Sequence, residues 1–199
     1  EADDIIAYLS NVTPQKKEDK VFIVSSDKDF LQLINENVIV YRPMEKEYYT
    51  VDTVIEKFKM SPNNFILYKT LMGDNSDKVV GIKGLGEKKL YKLFPELTTQ
   101  EMTLEDIYNI SVKRLKENVI YARVIQNFAS LETNYKIMDL SKPMIDKNDE
   151  NYLDGVVKSK DIHYLPDQFV SMYNTDQLGG IIRNVEYWVK DCFESLQIK

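Results

Sequence analysis

The chain has 199 residues, 43% of them hydrophobic, with a net charge of −6 and one cysteine, Cys192. That length fits one large domain or two small ones; no apolar run reaches membrane-spanning length, no secretory signal is visible, and a lone cysteine excludes an internal disulfide, so a reducing cytoplasm is the expected compartment. An acidic balance argues against nucleic acid, yet seven acids fall in three tight groups (Glu1, Asp3, Asp4; Asp27, Asp29; Asp74, Asp77), and without them 25 acids face 26 bases.

Residues 1–10, EADDIIAYLS, predict a helix with acids in its first turn, where the helix dipole favours them. Residues 11–20 carry Pro14 and are expected to form a loop. Val21–Val24 is a short β-branched apolar run, the mark of a buried strand. A short helix is expected at 30–35, strands at 37–41 and 48–50. That alternation implies an α/β sheet. Strand signals fade after about residue 52, and helical patterns follow at 52–59, 62–72, 87–94, 104–108, 113–137, 166–173 and 180–196. The polar stretch 139–160 is expected to be a long connection. The fold class is therefore α/β, with an incomplete α/β layer over 1–60 and an all-helical domain over 61–199. Because residue 1 is Glu rather than Met, the chain is expected to be a fragment.

Asp27 and Asp29 follow directly on the apolar strand, in VFIVSSDKD. Ligand sites in α/β sheets lie outside the carboxyl ends of strands, and residues two apart in extended chain point the same way. Both carboxylates can thus face one point, although either one could equally cap the helix that follows. Glu1 and Asp4 share a helix face with Asp3 beside them; dipole complementarity alone would account for one or two of these acids. Asp74 and Asp77 are three apart in MGDNSDKVVG, where a turn with Gly73 as helix C-cap is the plainer account. Together the three groups offer hard oxygen ligands suited to Mg²⁺ or Mn²⁺, and no His or Cys set accompanies them for zinc.

After Asp77 comes GIKGLGEKKLYKLF. Gly81, Gly84 and Gly86 permit a tight turn whose amides point outward, and the helix starting near Glu87 backs it, so the turn can cradle a phosphate. Lys83, Lys88, Lys89 and Lys92 add charge to the same surface. A glycine turn with a solvated lysine face is the competing account.

The ordered series EADDIIAYL, SSDKDFLQL, GDNSDKVVGIKGLGEKKL resembles the 5′-nuclease superfamily of flap endonucleases, bacterial DNA polymerase I 5′-nuclease domains and phage 5′ exonucleases. The later segment YLPDQFVSMYN is more similar to the ribonuclease H of T-even phages than to cellular relatives. The resemblance implies a PIN-like metal-nuclease core and a helix–three-turn–helix domain. It assigns Glu1, Asp3, Asp4, Asp27, Asp29, Asp74 and Asp77 to two Mg²⁺ ions, directly or through water, with Glu1, Asp3, Asp27, Asp29 and Asp77 catalytic. It assigns Lys83, Gly84, Leu85, Gly86, Lys88 and Lys89 to duplex DNA, and places K⁺ on neighbouring hairpin carbonyls in some relatives. The implied activity is 5′–3′ exonuclease, flap endonuclease and ribonuclease H cleavage in replication primer removal. The implied partners are double-stranded or branched DNA, RNA–DNA hybrid, and a single-strand-binding protein or sliding clamp, for a monomer without membrane contact. It also implies that the family's N-terminal third is missing, and that activity of this chain suffers for it.

Two other readings compete: a PIN-type endoribonuclease, which would lack the glycine hairpin, and a non-catalytic duplex-binding module. His163 is expected to be structural or at the surface. Trp188 and Cys192 are expected to pack, and strand alternation should bury only one of Tyr48 and Tyr49.

Overall fold

The first helix, α1 (Ala2–Val12), has its acids in the first turn and buries Ala7 and Ser10. It leads to β1 (Val21–Val24) and then a 3₁₀ turn, Asp29–Leu33, which seats Phe30, Leu31 and Leu33 in the core. Strands β2 (Val38–Arg42) and β3 (Glu47–Tyr49) complete a three-stranded sheet in the order β1-β2-β3. β1 runs parallel to β2, with Val21 opposite Val38, while β3 is antiparallel to β2, with Tyr49 opposite Val40. Alternation along β2 buries Val38, Val40 and Arg42. Tyr49 is buried and Tyr48 is exposed, as the period of two requires. The computed structural model describes residues 1–14, 16–75, 77–159 and 164–194; His163 and the end of the last expected helix, 195–196, lie outside the described residues.

Thr50 starts α2 (Val51–Phe58) by accepting from the Thr53 amide, and Lys59 ends it in the left-handed region. The run expected at 62–72 divides into a 3₁₀ turn, Pro62–Asn64, and α3, Phe65–Met72. An antiparallel pair of two-residue strands follows, β4 (Gly73–Asp74) and β5 (Val79–Val80). This pair corrects the expectation that strands end near residue 52: two residues are too few to show a period in sequence. Next come α4 (Glu87–Leu93), α5 (Leu104–Lys113), α6 (Val119–Gln126) and α7 (Phe128–Met138). A capping box between Thr103 and Asp106 opens α5. The single helix expected at 113–137 is two helices, because Asn118 caps the start of α6 and the chain breaks at Asn127.

The connection expected at 139–160 is largely helical, as α8 (Lys147–Ser159). It buries no residue, so it carried no apolar stripe to read. α9 (Pro166–Thr175) and α10 (Val185–Phe193) follow, and among the described residues no strand lies beyond residue 100.

Two compact units divide the chain, Glu1–Glu150 and Asn151–Lys199. The first holds two apolar clusters. One gathers Ile23, Phe30, Leu31, Val38, Val40 and Phe65 around the sheet; the other gathers Leu67, Leu71, Leu90, Phe94, Ile107 and Tyr121 among the helices. Tyr68 packs against both. In the second unit Tyr173, Val185 and Val189 are buried with Phe169 and Trp188 against them. Trp188 therefore packs as expected, 5.9 Å from the Phe169 ring, whereas Cys192 is exposed, correcting its expected burial.

Candidate metal centre and adjoining hairpin

The carboxyl end of β1 turns at Ser25, whose hydroxyl accepts from the Asp27 amide at 3.1 Å. Asp27 in turn accepts from the Asp29 amide at 2.8 Å. Asp27 thus closes a local turn ahead of the 3₁₀ segment, whose N-cap is Lys28, and its carboxylate also lines the acidic cavity. α1 brings Glu1, Asp3 and Asp4 to the same place, with Asp4 accepting from the Met144 amide at 2.8 Å. The β4–β5 ladder brings Asp74 and Asp77.

A cavity of about 760 Å³ is lined by Glu1, Asp3, Asp4, Asp27, Asp29 and Asp77, with Val80, Asn134 and Met144 at its margin. Oxygens of Asp29, Asp74 and Asp77 lie within 4.8 Å of one another. Asp3 feels Asp27, Glu1, Asp4 and Asp77. Asp77 therefore belongs to both groups, one with Asp29 and Asp74 and one with Asp3. Burial first, and then these neighbouring charges, push the Asp3 carboxyl above the ordinary carboxylate range. The structure thus brings all seven sequence-predicted acids into one neighbourhood.

Sequence reasoning missed Lys69. Its ammonium is buried in α3 and pairs with Asp29 and, at 2.5 Å, with Asp74. The signal was available: a lysine in the otherwise apolar run FILYKTLM, in a helix buried on every side, has to meet charge in the interior. A fixed cation between two of the acids shows that positive charge belongs there. The all-oxygen donor set suits a hard divalent ion beside it. Arg42 was missed as well; its guanidinium is buried, pairs with Glu45 at 2.8 Å and donates to the Ser26 carbonyl at 2.8 Å, which steadies the strand end that carries Asp27.

Two glycines tie the third acid segment to the hairpin. A methyl group on Gly81 would lie 2.3 Å from the Met72 carbonyl carbon, and one on Gly73 would lie 2.3 Å from the Gly81 nitrogen. The Ile82 amide donates to the Leu71 carbonyl at 2.8 Å, closing the neck. Beyond it the turn is tight: Gly84 sits at φ +81°, and the Leu85 amide donates to the Ile82 carbonyl at 3.0 Å while its side chain is buried. That bond engages the Leu85 amide within the turn itself. Gly84–Lys89 line an open hollow of about 540 Å³, with Lys83, Lys88 and Lys89 exposed. Lys89 folds back on the Gly84 carbonyl at 3.0 Å.

The fold and the carboxylate cavity define an acid-lined α/β core joined to a glycine hairpin and helices. Residues 1–59 match the family described as 5′-3′ exonuclease, N-terminal resolvase-like domain, and the chain's resemblance to the 5′-nuclease superfamily holds in its relatives. It is 43% identical over 106 residues to a 5′-3′ exonuclease of Aquifex aeolicus, covering 53% of this chain and 36% of that protein. It is 38% identical over 123 residues to DNA polymerase I of Bacillus subtilis, covering 60% of this chain and 14% of that protein. The chain thus spans well under half the length of either relative. Its fold matches that of the T5 5′-exonuclease with bound zinc, with a TM-score of 0.65 at 21% identity over 79% of this chain and 58% of that one. It also matches the bacteriophage T5 flap endonuclease in a pseudo-enzyme–product complex with DNA and metal ions, with a TM-score of 0.65 at 20% identity over the same shares.

Proposed function

We propose that this chain forms the carboxylate-rich part of a divalent-metal-dependent 5′ nuclease and the hairpin that grips its duplex. The convergence of acids from α1, the β1 end and the β4–β5 ladder on one cavity carries the reading. Residues 1–60 serve as nuclease core and the helices that follow as the duplex-binding part. Glu1, Asp3, Asp4, Asp27, Asp29, Asp74 and Asp77 hold two Mg²⁺ or Mn²⁺ ions, some through water. Such a pair supplies activation of a water and stabilisation of the leaving oxygen in phosphodiester hydrolysis. The protein's own work is placement. Asp77 spans the two acid groups, Arg42 fixes the turn that presents Asp27, and Lys69 holds Asp29 against Asp74. The backbone amides of Gly84 and Gly86, with Lys83 and Lys88, take a DNA phosphate without reading bases.

The substrate is branched or double-stranded DNA, or an RNA–DNA hybrid cut at the RNA strand, as the segment similar to T-even phage ribonuclease H suggests. Primer removal in the cytoplasm, by a monomer working beside a single-strand-binding protein or sliding clamp, fits that chemistry. No described helix is long and apolar enough to cross a membrane.

The test pairs metal with DNA. Mn²⁺ or Mg²⁺ should raise the melting temperature of the wild-type chain and much less that of Asp77→Asn. A 5′-flap duplex should bind both proteins alike, and be cut, where cutting occurs, only by the wild type. Metal stabilisation that is identical in the two proteins would remove the cavity from consideration as the metal centre.

A further inference from the structure

The hairpin's carbonyls already have cationic partners. Arg123, on α6, donates from Nη1 to the Lys83 carbonyl at 2.5 Å. Lys89 donates to the next carbonyl, Gly84, at 3.0 Å. The guanidinium also sits against the turn itself, since a methyl group on Gly84 would lie 2.8 Å from Nη1. Asn127 anchors the far end of this arrangement by donating to the Arg123 carbonyl at 2.8 Å, and Asn134 donates to the Val80 carbonyl at 3.0 Å where the hairpin begins. Residues from α6 and α7, some forty to fifty-four positions away in sequence, thus hold the turn by its carbonyl side. A carbonyl cage for a monovalent ion works by replacing that ion's water with oxygens of the backbone. Here the oxygens at Lys83 and Gly84 are taken by a guanidinium and an ammonium, so the residues present do not fit a K⁺ site at this hairpin.

We propose that Arg123 is a positioning residue of the hairpin, a fixed cation that sets the Lys83–Gly84 peptide and frees the grip on duplex from any requirement for K⁺. The inference rests on reading the hairpin as the duplex grip. A guanidinium suits the task because it cannot be deprotonated, and its planar fork carries further donors beyond the one bound to the Lys83 carbonyl. The charge that orders the turn then also adds to the positive surface beside Gly84 and Gly86.

The experiment measures binding of a labelled 5′-flap duplex to the chain in KCl and in NaCl at equal ionic strength, for wild type and Arg123→Ala. It also follows hydrogen exchange at the Leu85 amide without DNA. The wild type should bind equally in the two salts. Arg123→Ala should lose about tenfold in NaCl, the scale of one hydrogen bond to a charged group, and regain part of it in KCl, because K⁺ can then occupy the vacated carbonyls. Its Leu85 amide should exchange faster, and K⁺ should slow it. Loss of a simple surface charge would weaken binding equally in both salts, and that result overturns the proposal, as does a wild type that needs K⁺ or an Arg123→Ala that binds normally. If Arg123→Ala does not fold by circular dichroism, Arg123→Gln, shorter in reach and uncharged, replaces it with the same pair of outcomes. A wild-type chain that binds no duplex in either salt sinks the duplex-grip reading, and exchange at Leu85 then decides the role of Arg123 separately.

Discussion

Replacing Lys69 with Met keeps the length of the side chain and removes its charge. Lys69 is 9% exposed, and its partners Asp29 and Asp74 are 14% and 17% exposed. Stripping one partner from a buried pair leaves an uncompensated charge that typically costs ~3–5 kcal/mol. Because both carboxylates keep some exposure, 14% and 17%, the lower end, about 3 kcal/mol, is the appropriate figure. For a chain of this size that corresponds to a fall in melting temperature of roughly 6–12 °C in the presence of EDTA. Divalent metal should reverse much of the loss, since an ion at 100 times its dissociation constant stabilises by about 2.7 kcal/mol. The wild type should gain less from metal than Lys69→Met, because its ammonium already neutralises part of the site. Thermal melts with and without Mg²⁺, together with Mn²⁺ titration, measure both quantities. An equal deficit in EDTA and in metal, or weaker metal binding by Lys69→Met, would refute the reasoning that Lys69 stands in for cationic charge.

The Asp3 carboxyl is held above its ordinary value of 3.8 by burial and by its acidic neighbours. A folded pKa above the unfolded one means that the group opposes folding at neutral pH, and that the penalty fades as pH falls through the folded value toward the unfolded one. Asp3→Asn should therefore raise the melting temperature of the metal-free chain near neutral pH, with the gain shrinking in acid; a gain that grows in acid would contradict the assigned cause. Gly81→Ala forces a methyl group within 2.3 Å of backbone and should cost at least ~1–3 kcal/mol, with metal-induced stabilisation reduced as Asp77 shifts, both read from melts. Lys88→Ala should weaken duplex binding across sequences and lower the salt slope of log K by about 1, measured by anisotropy over a salt series. An unchanged slope would remove Lys88 from the phosphate contacts.

The acids were legible because chemistry of that kind leaves its residue types in the chain. Asp27 and Asp29 stand directly after a β-branched run, and a strand end followed by paired carboxylates can be read without coordinates. The sheet was legible for the same reason, down to the burial of only one of Tyr48 and Tyr49; that it is Tyr49 came from the structure. What stayed hidden depends on contacts between distant segments. The β4–β5 ladder spans two residues a side, too short for any period. Arg123 meets Lys83 across forty positions and looks like any helix-surface arginine in sequence. The break at Asn127 was lost because α6 and α7 continue one another's polar and apolar spacing. Helix α8 was lost because a helix that buries nothing leaves no pattern.

The back-to-back approach of Gly73 and Gly81 has a mechanical consequence. Asp74 and Asp77 lie on the loop between these glycines, and the hairpin starts at the second of them, so one pinch point anchors both. With no room for even a methyl group, the pinch has little slack to absorb motion. If the turn at Gly84 grips duplex as proposed, a pull on it acts on the same backbone that aims Asp74 and Asp77. On that proposal, substrate seating and ion geometry are two ends of a single lever, and a weak or misplaced duplex would register as a poorly formed metal centre before any bond is cut.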